Sequence, residues 1–139
     1  MRGDIGAVPH SSLVLVVEDC EDAAQILLEV LRFHGFRAIA ARNGAEALLR
    51  ASELRPDAIL LDLSLPLLDG WSVARALRGE RRTQSIPIIA LTAHVHEPEL
   101  ARAREAGCDR IFTKPAPHDR LLMELHRLIS RRAAKAGVR

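Results

Sequence analysis

The sequence predicts an α/β domain in which five strands and five helices alternate, the strands forming a parallel sheet between two helical layers. Three observations carry this. Short runs of aliphatic and β-branched residues alternate with spacers of helical periodicity. The runs lack in/out alternation, the pattern of strands buried on both faces. The length, 139 residues, suits one domain with a substantial core.

The runs, in order, are Leu13–Val17, Phe36–Ala41, Ala58–Leu61, Ile86–Leu91 and Arg110–Thr113. In the first spacer Ala24, Leu27, Leu28 and Leu31 fall at i, i+3, i+4 and i+7, one face of a helix. The last spacer repeats this with Leu121, Leu122, Leu125, Leu128 and Ile129. Gly35 and Gly107 stand where the first and fourth helices should end. Pro98 fits the first turn of a helix after Glu97. The middle helices fall near Ala45–Leu54 and Trp71–Gly79. Right-handed crossovers between parallel strands then wind helices onto both faces. The expected organisation is a flexible extension over 1–11, the domain over 12–132 and a basic tail over 133–139. Ser130–Arg139 are too few for a second domain.

Composition narrows the function classes. Hydrophobic residues make up 48% and charged residues 27%, a globular balance. Twenty Lys and Arg against 18 Asp and Glu leave a net charge of +2, which argues neither for nucleic acid nor for an anionic surface. The longest apolar run falls short of the ~20 residues that span a bilayer, and Met1–Ser12 lack the apolar core of a secretory signal. Cys20 and Cys108 have no metal-type spacing; reduced thiols in a cytoplasmic protein are expected, with Cys20 a buried thiol. Trp71, Phe33, Phe36 and Phe112 are too few for a platform that stacks single-stranded bases. No direct nucleic-acid partner and no membrane insertion are expected.

In an open α/β sheet, binding groups gather at the carboxyl ends of strands. The first strand ends in Glu18 and Asp19, the third in Asp62, the fourth in Thr92 and the fifth in Lys114. Carboxylates crowded in one crevice resist joint ionisation. A hard divalent cation relieves this, and Mg²⁺ leaves coordination positions open for phosphoryl oxygens. Lys114 adds a point charge and Thr92 a hydroxyl for the same oxygens. Asp62 suits the nucleophile of an aspartyl-phosphate intermediate.

Four segments carry a resemblance: Val16-Val17-Glu18-Asp19, Leu60 through Gly70, Ala90-Leu91-Thr92-Ala93 and Thr113-Lys114-Pro115. With Ala41 through Leu48 and Pro56-Asp57, they resemble the receiver domains of two-component response regulators, over residues 12–132. The likeness is to stand-alone, chemotaxis-type receivers. It implies a flavodoxin-like strand order, 2-1-3-4-5, and phosphorylation of Asp62 by a sensor histidine kinase or histidine phosphotransfer protein. It also implies Mg²⁺ held by Asp19, Glu18, Asp62 and the Ser64 backbone carbonyl. Thr92 and Lys114 bind phosphoryl oxygens, the Lys114–Pro115 bond is cis, and Ser64 and His94 influence phosphoryl lifetime. Phosphorylation shifts the face made by the fourth helix, fifth strand and fifth helix toward an unknown downstream protein. The domain signals rather than turning over substrate.

One position departs from the pattern. Receivers often carry Tyr or Phe three residues before the lysine; here it is Ile111. The adjacent Phe112 should point to the other face of the strand and into the core. Loop movement at Thr92–Glu97 is therefore expected to carry the response. Three other readings compete. A DNA-binding regulator needs an output domain beyond residue 132. A Mg²⁺-dependent hydrolase needs an acid/base Asp where Ser64 stands. A degenerate receiver is at odds with the intact site. The Arg75, Arg78, Arg81 and Arg82 run reads as cations near a helix C-terminus, and Arg131, Arg132, Lys135 and Arg139 as a solvated, frayed end. Either run is a candidate contact for an acidic partner.

Overall fold

The computed structural model describes residues 11–65, 69–93 and 96–137. Five strand–helix units follow one another. They are β1 (Leu13–Val17) with α1 (Glu21–Phe33), β2 (Arg37–Ala41) with α2 (Gly44–Leu54) and β3 (Ala58–Asp62) with α3 (Gly70–Arg78). Then come β4 (Ile88–Thr92) with α4 (Glu97–Ala106) and β5 (Arg110–Thr113) with α5 (His118–Gly137). All neighbouring strands are parallel, in the order β2-β1-β3-β4-β5.

Alternation along each strand divides the core in two. Leu15 and Val17 of β1, Ile59 and Leu61 of β3, and Ile88 and Ala90 of β4 pack with α2, α3 and α4 through Ala47, Ala51, Val73, Leu77 and Ala103. Their neighbours Val14, Val16, Ala58, Leu60, Ile89 and Leu91 pack with α1 and α5 through Leu28, Leu31, Leu121, Leu125 and Ile129. Small residues line α2 and α4 and aliphatic ones line α1 and α5. Each fully buried Leu or Ile contributes about 1.5–3 kcal/mol. Ile111 packs on the α2–α4 side and Phe112 on the α1–α5 side, as the strand alternation predicts.

Several boundaries shift for local reasons. Phe36 lies outside β2 because its N–H donates to the Leu31 carbonyl and closes the end of α1, with Gly35 at φ +93°. β4 begins at Ile88, after Pro87, which has no N–H to give the ladder; its carbonyl still accepts from Ile59. β3 and β4 each run one residue further than expected, taking in Asp62 and Thr92. α5 continues through residues 133–137, so Arg131, Arg132 and Lys135 stand on a helix and not on a frayed end. Residues 1–10, most of the expected extension, and Arg139 lie outside the described residues.

The arginine run at the end of α3 does more than face a helix dipole. Arg78 donates to the carbonyls of Gly107 (3.0 Å), Gln84 (2.9 Å) and Ile86 (2.7 Å) and pairs with Asp109 (2.9 Å). It ties the ends of α3 and α4 to the starts of β4 and β5. Arg82 donates to the Ser52 carbonyl of α2.

Candidate functional site

Backbone bonding fixes the carboxyl edge of the sheet. Glu18 N–H donates to Ala41 O (3.0 Å), Leu63 N–H to Leu91 O (3.0 Å) and Lys114 N–H to Thr92 O (2.8 Å). The register pairs Val17 with Leu61, Asp62 with Leu91 and Thr92 with Thr113. The residues at or just past these strand ends are thereby carried to one edge. Glu18, Asp62 and Thr92 are buried there, at 4%, 2% and 3% exposure; Asp19 is exposed. Ligand oxygens of Glu18, Asp19 and Asp62 lie within 4.8 Å of one another.

Lys114 ties the two buried carboxylates together. Its Nζ donates to Asp62 Oδ2 (3.2 Å) and to Glu18 Oε1 (3.3 Å). The remaining oxygens accept backbone bonds: Asp62 Oδ1 from Ser64 N–H (2.9 Å) and Glu18 Oε2 from Cys20 N–H (3.1 Å). Three negative charges against one positive leave the cluster a formal excess of two, which a divalent cation balances. Burial pushes the Glu18 carboxyl above its ordinary value, and the Asp62 charge adds to this. The Cys20 amide and Lys114 pull the other way without winning. Burial disfavours the Lys114 ammonium, but the charges and hydrogen bonds of Asp62 and Glu18 outweigh it and raise its pKa. A buried carboxyl held above its normal range beside two others is a site short of positive charge. Hard oxygen donors so grouped fit Mg²⁺.

The turn after Asp62 is built around glycine. A Cβ on Gly70 falls 2.5 Å from Leu63 Cα and 2.7 Å from the Asp62 carbonyl oxygen, both backbone atoms that cannot step aside. Asp69 caps α3, accepting from Ser72 N–H (2.8 Å). The outlying motifs are structural. Asn43 caps α2 by accepting from Glu46 N–H, and Glu46 reaches back to Arg42 N–H. Asp57 accepts from Leu13 N–H and pins the start of β1. The Lys114–Pro115 bond is cis.

Cys20 is exposed rather than buried, because it occupies the turn between β1 and α1; Cys108 is the buried thiol, its pKa pushed up to about 11 by burial. Ser64 is exposed beside Asp62 and holds it through its amide, a contact that sequence alone does not reveal. His94, and Pro66, Leu67 and Leu68 of the acceptor motif, lie outside the described residues.

The doubly wound sheet carries its acidic pocket at the carboxyl ends of β1 and β3, where open α/β sheets bind ligands. The response regulator receiver domain profile matches residues 14–126, and the chain belongs to that family, the receiver domains of two-component systems. The transcriptional regulatory protein PrrA of Mycobacterium leprae is 40% identical over 126 residues, covering 91% of this chain and 53% of PrrA. The chain thus spans about half the length of the PrrA relatives it matches. The polar-differentiation response regulator DivK of Brucella anthropi is 37% identical over 102 residues, covering 73% of this chain and 83% of DivK. Among solved structures, one match is the receiver domain of the sensor histidine kinase PA1611 of Pseudomonas aeruginosa, with a magnesium ion coordinated in its active-site cleft. It superposes with a TM-score of 0.80 at 34% identity, covering 86% of this chain and 98% of that one. Among the described residues, no helix is long and apolar enough to cross a membrane.

Proposed function

We propose that this receiver domain accepts a phosphoryl group on Asp62 from a phosphohistidine and thereby controls binding of a downstream protein in the cytoplasm. The observation that carries it is the buried Asp62, joined to Lys114 and grouped with Glu18 and Asp19. An Asp62 oxygen attacks phosphorus, the bond from phosphorus to the histidine ring nitrogen breaks, and the imidazole leaves with that electron pair. The Ser64 amide and the Lys114 ammonium orient the carboxylate. Lys114 and Thr92 then take the phosphoryl oxygens, where transition-state charge accumulates. Glu18, Asp19, Asp62 and the Ser64 carbonyl hold Mg²⁺, which when bound neutralises the phosphoryl charge. The partners are a sensor histidine kinase or histidine phosphotransfer protein upstream and a protein target downstream.

The output face is α4, β5 and α5. With Ile111 in place of an aromatic ring, the signal travels through the 92–97 loop; residues 94 and 95 of that loop lie outside the described residues. The experiment is phosphate incorporation from acetyl phosphate, read by intact mass. Wild type gains one phosphoryl adduct with Mg²⁺ and none with chelator, and Asp62→Asn gains none. An adduct that persists in Asp62→Asn would show that another residue is the acceptor.

A further inference from the structure

We propose that the cavity at the amino end of the sheet binds a ligand carrying two or more linked phosphates, of the nucleoside polyphosphate or inorganic polyphosphate class. This site lies at the far end of the strands from Asp62 and does not depend on phosphorylation there. The cavity, of about 600 Å³, opens between the last turns of α5 and the loop joining α3 to β4. That size falls in the range of small-molecule sites, about 300–1,000 Å³.

One wall is a single face of α5: Leu128, Arg131, Arg132 and Lys135 stand at i, i+3, i+4 and i+7. Four cations line the cavity against one carboxylate, and that carboxylate is already occupied. Asp109 pairs with Arg78 and accepts from Ile88 N–H. Arg78 gives three further hydrogen bonds to the carbonyls described above. The excess charge therefore rests on Arg131, Arg132 and Lys135. Arg132 makes two long contacts, to Pro56 O at 3.5 Å and Ser85 Oγ at 3.4 Å. Arg131 and Lys135 make no ion pair among the described residues.

The helix dipole accounts for a cation in the last turn, which is Lys135. It does not account for two arginines beside it around a concave space. Arg131 and Lys135 are one helical turn apart, ~6 Å along the axis, a separation that favours several linked anionic groups over one. Gln84 and Ser85 add polar groups to the lining, and Pro87 and Leu128 apolar ones. The lining holds no aromatic ring on which a base of single-stranded nucleic acid could stack.

The test is calorimetric titration of the full chain with inorganic tripolyphosphate, in chelator so that the acidic end holds no metal. Saturable binding is expected, unchanged in Asp62→Asn and weakened by about tenfold or more in Arg131→Glu/Lys135→Glu, the loss of charged hydrogen bonds. The milder Arg131→Gln/Lys135→Gln pair serves if the reversal disturbs folding, judged by the thermal midpoint. Parallel titrations with ADP and pyrophosphate separate the two sources: ADP binding at least as tightly supports a nucleotide, and pyrophosphate binding alone an inorganic ligand. No saturable binding, or equal binding by a folded charge variant, overturns the proposal. So does a short single-stranded oligonucleotide that binds more tightly than tripolyphosphate and loses that binding in the same variant.

Discussion

The two ends of the sheet carry opposite chemistry. At the carboxyl ends of the strands, Glu18 and Asp62 are buried side by side with Asp19 close by, and one ammonium serves the two buried groups. At the amino ends, Arg78 is satisfied four times over while Arg131 and Lys135 face a cavity. A parallel sheet with helical crossovers encourages this polarity. Every helix starts near the carboxyl edge and ends near the amino edge, so the helix dipoles align. Acidic residues occupy the first turns of α1, α2, α4 and α5, and basic residues the last turns of α1, α3, α4 and α5. The acidic end is left short of counter-charge, whereas the Arg78 centre of the basic end is closed by Asp109 and three loop carbonyls. An unbalanced buried cluster is expected to be chemical and a balanced one structural.

Removing the cation from each end sharpens that contrast. Lys114→Ala should slow adduct formation from acetyl phosphate by about 10²–10³-fold, the usual cost of losing one transition-state donor. A rate within a few-fold of wild type would remove Lys114 from the chemistry. Arg78→Ala should leave adduct formation intact yet cost about 2–4 kcal/mol of folding stability in urea, because it strands carbonyls and one carboxylate. A stability loss too small to resolve would mean that water replaces the guanidinium. The metal reading gives a smaller effect: Mg²⁺ should raise the thermal midpoint of wild type by mass action, and Asp19→Asn should need about tenfold more Mg²⁺ for the same rise. An identical response in the variant would free Asp19 from any metal role.

The acidic end was legible in the sequence and the basic end was not, for a physical reason. Glu18, Asp19, Asp62, Thr92 and Lys114 sit at strand ends, and strand ends are read from short apolar runs. Parallel topology then delivers those ends to one edge without knowledge of packing. The strand order rested on family likeness, and the observed sheet has it. The Arg78 centre joins residues 6 to 31 positions apart through loop carbonyls, which no local pattern announces. Gly70 was legible only as part of the acceptor motif; the close approach of Leu63 Cα and the Asp62 carbonyl shows why a side chain does not fit there. Cys20 misled because burial statistics for cysteine say nothing of a particular turn, and the turn places it in solvent. The extension of α5 past 132 was hidden by a sequence that loses its apolar stripe before it loses its helical residues, Ala133, Ala134 and Ala136.

Glu124 tests by pH whether a buried carboxylate fully supplied with donors acts structurally. It is buried on α5 between Arg110 and Arg127, and hydrogen-bonds to both. Burial alone lifts its carboxyl, but the Arg127 hydrogen bonds and the charges of Arg110 and Arg127 outweigh that and hold it below the ordinary 4.5. The folded state therefore binds its proton less readily than the unfolded chain does. Its stabilising contribution is complete above about pH 4.5 and is lost as pH falls through the lower, folded value. Because both arginines are substantially exposed, solvent screening keeps the effect small. Urea titrations of wild type and Glu124→Gln should show wild type more stable at neutral pH, the gap closing in the acid range. A gap that stays constant down to pH 3 would mean that Glu124 acts by packing and that its ion pairs contribute nothing to the fold.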